Sequence, residues 1–264
     1  MAKKIAILGG GNLGTAIAEG LLKSNFSQAA DIIITRRNEQ ALAALREKGV
    51  MVTADNALAV RQAAVVILAV KPFQAAEVLQ QVKGELNDSK ILVSVVTGLL
   101  IGEMEDLVGA KPAYFRAMPN TAIAISESMT CICSRHAGQE QVKYVDDLFS
   151  TVGQVVTIDE KLMEAATILA ACGTAYAMRY IRASIQGGIE IGFDANTASL
   201  IAAQTAKGAA ELLLQKKSHP EQEIDKVTTP KGCTIAGLNE MEHQGFSSSL
   251  IRGIVASYKK IARD

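Results

Sequence analysis

The sequence predicts an α/β fold, a doubly wound parallel sheet followed by an all-helical region. Three observations predict it. Short apolar runs alternate with helical stretches from Lys4 to Arg116, as strands do when crossover helices cover both faces of a parallel sheet. The first run ends in Gly9-Gly10-Gly11-Asn12-Leu13-Gly14, a glycine turn placed between a strand and a helix. Beyond Asp159 the strand pattern disappears and long helical stretches take over.

The elements follow in order. Lys4–Leu8 is a buried strand, and Thr15–Lys23 is helical. Asp31–Thr35 is an isoleucine-rich second strand. Glu39–Lys48 reads as a helix stopped by Gly49, since glycine suits the position after a helix. Val50–Thr53 is a third strand, Asn56–Arg61 a helix, and Ala64–Val70 a fourth strand. Pro72 then suits the first turn of a helix, where its missing N–H costs nothing. Ile91–Val96 is a fifth strand, Ile101–Leu107 a helix, and Ala113–Arg116 a sixth strand. Met129–Cys133 and Gln154–Ile158 are expected as antiparallel edge strands around a helix at Gln139–Thr151. From Lys161 to Ile185 apolar residues lie on nearly all faces of one long helix, which predicts burial, often between subunits. Gly187-Gly188 is expected to break it. Ala195–Gln215 is a second long helix with a small-residue face, and Thr234–Glu242 and Phe246–Ala262 complete the chain. The expected domains are residues 1–159 and 160–264.

Hydrophobic residues make up 49% of the 264 and charged residues 20%, enough for a sizeable core. Lys plus Arg (27) balance Asp plus Glu (27), so the basic excess of a nucleic-acid binder is missing. The longest apolar run, Ala63–Val70, is far short of the ~18 residues that a membrane span needs. The N-terminus lacks a signal-peptide core, so a cytoplasmic protein with reduced thiols is expected. Cys131-x-Cys133 lacks metal-knuckle spacing and the three histidines are scattered; no metal is expected.

In the G-x-G-x-x-G turn, Gly9 permits the tight bend, Gly11 a close approach of pyrophosphate, and Gly14 close packing of helix on strand. The helix start offers unpaired N–H groups to the phosphates. A Rossmann-type dinucleotide site follows. The second strand ends Thr35-Arg36-Arg37, without the acid that binds an NAD ribose. Two guanidiniums fit a 2′-phosphate, so NADPH is preferred, with NADH possible.

Ala69-Val70-Lys71-Pro72, Arg116-Ala117-Met118-Pro119-Asn120-Thr121 and Val227-Thr228-Thr229-Pro230-Lys231-Gly232-Cys233-Thr234 resemble, in order, the signatures of the pyrroline-5-carboxylate reductase family. The resemblance spans almost the whole chain, and the last motif is the most specific. It implies a Rossmann domain and a helical dimerisation domain, in homodimers or rings of dimers. It implies reduction of the cyclic imine 1-pyrroline-5-carboxylate to L-proline. It places the cofactor along Leu8, Gly9, Gly10, Gly11, Asn12 and Leu13, near Arg36 and Asn56, and across Ala69, Val70, Lys71, Pro72, Val95, Val96 and Thr97. The substrate is expected between the first domain and the partner subunit's helical domain, near Glu160, Gly232, Cys233 and Thr234.

Hydride transfer to a protonated imine needs positioning more than a strong acid. The turn before Thr234 can present backbone N–H groups to a carboxylate. The Thr234 hydroxyl could orient the ring nitrogen or relay a proton, or simply cap the helix. Glu160 could meet the substrate or cap the long helix. Asn120 and Thr121 could face the nicotinamide or serve as turn residues beside Pro119. Cys172 and Cys233 read as packing residues, because imine reduction needs no nucleophile.

Two positions depart from the family pattern. Ala171-Cys172-Gly173-Thr174-Ala175 stands where the family has Gly-Ser-Gly-Pro-Ala, and the missing proline predicts a more regular helix. Lys231 replaces a glycine, which implies either a different turn or a position that tolerates a side chain. A reductase of a related cyclic imino acid and a non-catalytic dinucleotide sensor are the competing readings.

Overall fold

The computed structural model describes residues 3–109 and 112–262. They divide into two compact units, one running to Cys172 and one starting at Gly173.

The first unit is built on strands β1 (Ile5–Leu8), β2 (Ile32–Thr35), β3 (Met51–Thr53), β4 (Val65–Leu68), β5 (Ile91–Ser94), β6 (Ala113–Met118), β7 (Ser128–Arg135) and β8 (Gly153–Thr157). They form one sheet in the order β3-β2-β1-β4-β5-β6-β7-β8. Pairing is parallel from β3 through to β6, antiparallel between β6 and β7, and parallel again between β7 and β8. The last two strands therefore run against the first six, as the sequence predicts. Ile5 pairs with Ile32 on one side and Val65 on the other. That register sets the ends of β1, β2 and β4 side by side.

Alternation along each strand builds two cores, one per face. Ile5 and Ile7 join Ile17, Leu21, Ile34, Phe115 and Phe149 on one side. Ala6 and Leu8 join Ile33, Val66, Leu68, Leu79 and Met104 on the other. This two-sided burial is why the strands read as continuous apolar runs.

The flanking helices are α1 (Asn12–Lys23), α2 (Ala43–Glu47), α3 (Asn56–Gln62), α4 (Pro72–Val82), α5 (Ile101–Val108) and α6 (Gln139–Ser150). Their ends follow local chemistry. Asp55 caps α3 by accepting from Leu58 N at 2.9 Å, Pro72 is the first residue of α4, and Gly109, at φ +64°, ends α5. The far end of α3 is closed from outside: the buried Lys90 ammonium donates to the carbonyls of Val60 (2.9 Å) and Ala63 (2.6 Å). Burial lowers its pKa, against the attraction of Glu85. The expected helix at Glu39–Lys48 is a 3-10 turn, Glu39–Leu42, leading into the short α2.

The stretch expected as a single helix from Lys161 has three parts before the second unit begins. They are a 3-10 turn at Glu160–Leu162, α7 (Met163–Ala166) and a π-helical turn at Thr167–Cys172. Met163 is fully buried in the second core, so this stretch belongs to the first unit although the change of sequence pattern begins near Asp159. The missing proline does not make the backbone more regular. Asn120 Nδ2 donates to Ala170 O, and Thr167 Oγ1 donates to Met163 O, so side chains engage carbonyls that a regular helix would serve alone.

The second unit consists of α8 (Gly173–Glu190), α9 (Ala195–Lys216), α10 (Pro220–Lys226), α11 (Cys233–His243) and α12 (Phe246–Ile261). Gly187-Gly188 does not break α8. A Cβ on Gly188 would lie 3.2 Å from the Ala198 Cβ, so the glycine lets α9 approach closely, and that packing outweighs its low helix propensity. The helix α10 was not expected from the sequence. Asp194 caps α9 by accepting from Asn196 N and Thr197 N.

Burial of the helical region is not met within one chain. Among the described residues from Gly173 onward, only Ala198 and Ala202 are buried hydrophobics. Met178, Ile191, Leu200 and Ile251 are 62%, 77%, 71% and 60% exposed. Apolar exposure on this scale is what an association surface requires.

Candidate active site

The carboxyl edge of the parallel strands carries a cleft of about 390 Å³ lined by Gly9–Gly11, Thr35–Asn38, Asn56, Ala69–Lys71 and Gln74, among others. Ligands bind at this edge in doubly wound folds because the loops from both sides of β1 diverge there.

The glycine turn is stereochemically committed. Gly9 has φ +113°, and a Cβ there would sit 2.5 Å from Ala69 O. A Cβ on Gly14 would collide with the carbonyl oxygen of Gly9. Gly11 is the opposite case, with nothing within 4 Å of its virtual Cβ. The chain is tight where strand, turn and helix pack and open where a phosphate would approach. Gly11 is also the N-cap of α1 and supplies no side-chain cap, so the first N–H groups of α1 are left for an anion. A pyrophosphate fits these residues.

The end of β2 clamps this turn. Gly9 N and Gly10 N donate to Thr35 O at 3.2 and 2.7 Å. Thr35 Oγ1 accepts from Gly9 N (3.2 Å) and donates to Asn56 Oδ1 (2.6 Å). Asn56 Nδ2 donates onward to Gln81 Oε1 at 3.0 Å. Arg36 Nη1 donates to Gly10 O at 2.7 Å, which holds one edge of the guanidinium on the turn. Arg36 and Arg37 both line the cleft, and both are exposed. Thr35, Asn38, Ala54, Gln74 and Val78 also line it without having been singled out in the sequence. Thr35 was legible in principle, as a polar residue closing an otherwise apolar strand.

Ala69, Val70 and Lys71 line the cleft, and Pro72 starts the helix beside it. Leu8 is buried as the last residue of β1, while Asn12, Leu13 and Gly14 open α1. Val95, Val96 and Thr97 follow β5 on the same sheet edge but do not line this cleft; the valines are buried and Thr97 is exposed.

Glu160 occupies an ion cluster. Its Oε1 accepts from Ile101 N (2.8 Å) and Arg116 Nη1 (3.4 Å), and its Oε2 from Arg135 Nη2 (3.3 Å). The carboxylate thus caps α5, a different helix from the one expected. Arg116, 2% exposed, also reaches Glu164 Oε1 at 2.9 Å. Its Nε is buried without a partner among the described residues. Beside this cluster, burial first and then Glu160 push the Cys133 thiol up to about 11. Burial and Glu105 push the Tyr114 hydroxyl up to about 12. Both groups keep their protons near neutral pH.

In the second unit, Thr229–Gly232 forms a turn closed by Gly232 N donating to Thr229 O at 2.9 Å. Pro230 holds its second position, and Lys231 its third at φ +61°, the type II pattern that normally takes glycine. The turn survives the substitution: Lys231 adopts the left-handed conformation. Gly232 is the N-cap of α11 and has no side-chain cap. Thr234 is therefore the second residue of the helix, not its cap. Its hydroxyl makes no hydrogen bond among the described residues. Cys233 is exposed and Cys172 partly so. No group of three or more His, Cys, Asp or Glu among the described residues is arranged to hold a metal ion. No helix among them is long and apolar enough to cross a membrane.

Comparisons with known proteins agree with this arrangement. Residues 4–98 match the family model for NADP oxidoreductase, coenzyme F420-dependent, and residues 160–263 match that for pyrroline-5-carboxylate reductase dimerisation. Pyrroline-5-carboxylate reductase 2 of Dictyostelium discoideum is 43% identical over 99% of this chain and 93% of its own. The chain belongs to the pyrroline-5-carboxylate reductase family. Pyrroline-5-carboxylate reductase 1 of the same organism is 45% identical over 98% of this chain, which spans about half (49%) of that relative's length. A crystal structure of Plasmodium falciparum pyrroline carboxylate reductase with NADP bound is 28% identical, with a TM-score of 0.90 over 98% of this chain and 96% of that one. The open apolar helices lie within the stretch that matches the family's dimerisation region.

Proposed function

We propose that this protein reduces 1-pyrroline-5-carboxylate to L-proline with NADPH, the last step of proline biosynthesis, as a cytoplasmic homodimer or ring of dimers whose dimerisation and substrate-binding region is 160–264. The observation that carries the reading is the start of α11. Gly232 offers no side chain to the helix end, and the Thr234 hydroxyl is uncommitted among the described residues. The first N–H groups of a helix lack internal acceptors, so those of Cys233 and Thr234 suit the substrate carboxylate. The free Thr234 hydroxyl suits the ring nitrogen, which it orients or serves with a proton.

When bound, NADPH supplies a hydride to the imine carbon. The chain's part is binding and orientation. The turn from Gly9 to Gly14 holds pyrophosphate, and Arg36 and Arg37 hold the 2′-phosphate, since guanidinium forks match phosphate oxygens. Asn56 contributes through Thr35, which it fixes beneath the turn. Leu8, Ala69–Pro72 and Val95–Thr97 border the cofactor along the sheet edge. Glu160 supports the substrate side by anchoring Arg116 and the start of α5. The NADP bound in the Plasmodium relative supports the cofactor choice, as does the absence of an acid at the end of β2.

The test follows NADPH oxidation with pyrroline-5-carboxylate, its six-membered analogue and an open-chain imine. Turnover of the five-membered ring in preference to the others is expected. Turnover of the six-membered ring alone would reject the substrate. Tight NADPH binding without turnover would make the protein a sensor.

A further inference from the structure

Asn120 lies on the loop after β6, and its polar atoms are all engaged. Its backbone N–H donates to Ser128 Oγ (3.1 Å), and its Oδ1 accepts from Ala122 N (3.0 Å). Its Nδ2 donates to Ala170 O (3.2 Å), in the middle of the π-helical turn Thr167–Cys172. A second side chain, Thr167, takes the Met163 carbonyl of the same stretch at 2.8 Å. At the other end of β6's last turn of sequence, Arg116 grips Glu160 and Glu164. The segment from Glu160 to Cys172 is therefore fastened to the carboxyl end of β6 at both its ends. A π turn is rarer and weaker than the α-helix it interrupts, and it persists where outside contacts over-determine it.

We propose that Asn120 is a positioning residue, whose amide holds the Ala170 carbonyl and with it the π-helical turn in the form that imine reduction requires. The proposal rests on the reductase reading above for the reaction it serves. It has a consequence at another position. In an α-helix the N–H that serves the Ala170 carbonyl is that of residue 174. A proline at 174 has no N–H, so in an ordinary helix it would orphan that carbonyl and clash with it. Here the carbonyl already has the Asn120 amide. Thr174→Pro is thus tolerated only while Asn120 is present.

Four proteins test this: the wild type, Asn120→Asp, Thr174→Pro and the double variant. Aspartate keeps the oxygen that caps Ala122 N and removes the donor to Ala170. Melting temperatures are compared at one protein concentration, because ligand and subunit binding shift them. Thr174→Pro alone is expected to change the melting temperature by no more than about 2 °C. The double variant is expected to fall several degrees below the sum of the single shifts, as coupled sites do. Asn120→Asp is expected to lower kcat about tenfold, because the π turn loses the side chain that fixes it, with KM for NADPH within about twofold of wild type, since the cofactor clamp is untouched. Additive melting shifts overturn the hold on Ala170 whatever the kinetics. Coupled shifts with unchanged kcat overturn the positioning role. A wild-type protein that fails to reduce the imine while the melting shifts remain coupled overturns the reductase reading and keeps the hold on Ala170.

Discussion

Replacing Lys231 by glycine is expected to stabilise the protein. Lys231 occupies the left-handed region at φ +61°, where a Cβ crowds the following carbonyl at a cost of about 1–2 kcal/mol. Glycine removes that crowding but brings a larger entropy loss on folding, about 0.5–1 kcal/mol. The difference leaves a gain of about 0.5–1 kcal/mol. The side chain is exposed and forms no ion pair among the described residues, so no contact is lost to offset it. For a chain of this length the gain corresponds to a rise in melting temperature of about 1–4 °C. Lys231→Ala is the control, since alanine keeps the crowding and removes only the charged stem; it is expected near zero. Urea unfolding of the three proteins at equal concentration measures the effect. Glycine no more stable than alanine at 231 would refute the argument, and with it the left-handed turn that leads into α11.

Three further predictions concern the cleft and the core. Arg36→Ala combined with Arg37→Ala should weaken NADPH binding roughly 10- to 100-fold, the scale of a lost charge-assisted contact, while NADH changes little; fluorescence titration with each cofactor decides, and equal losses would defeat the 2′-phosphate assignment. Gly14→Ala places a Cβ against the Gly9 carbonyl oxygen, so NADPH binding should be lost, or the protein should fail to accumulate folded; near-native cofactor affinity would contradict the geometry. The Cys133 thiol, held at about 11 against an ordinary 9.0, keeps its proton in the native state across a window in which the unfolded chain gives it up. Stability should then fall as pH rises from about 9 to 11, by roughly 2–3 kcal/mol in all. Denaturant unfolding at several alkaline pH values should show a shallower fall in Cys133→Ala, and an unchanged slope would remove the thiol from the account.

Much of this molecule is written in consecutive residues. Strands buried on both faces are apolar at nearly every position, so β1, β2, β4 and β5 stand out without any partner being known. The turn from Gly9 to Gly14 is legible because steric exclusion acts on the residue itself. The end of β2 is legible because a missing acid and two arginines change the charge at one place. What the tertiary structure decided depends on partners distant in sequence. Gly187-Gly188 reads as a break until Ala198 packs against it. The stretch after Asp159 reads as one regular helix until Asn120 reaches Ala170 across 50 residues. Glu160 reads as a ligand contact or a cap for its own helix, until Ile101, Arg116 and Arg135 take its oxygens. Propensity and sterics are local and so can be read along the chain, whereas a hydrogen-bond partner is selected by the fold that brings it within about 3 Å.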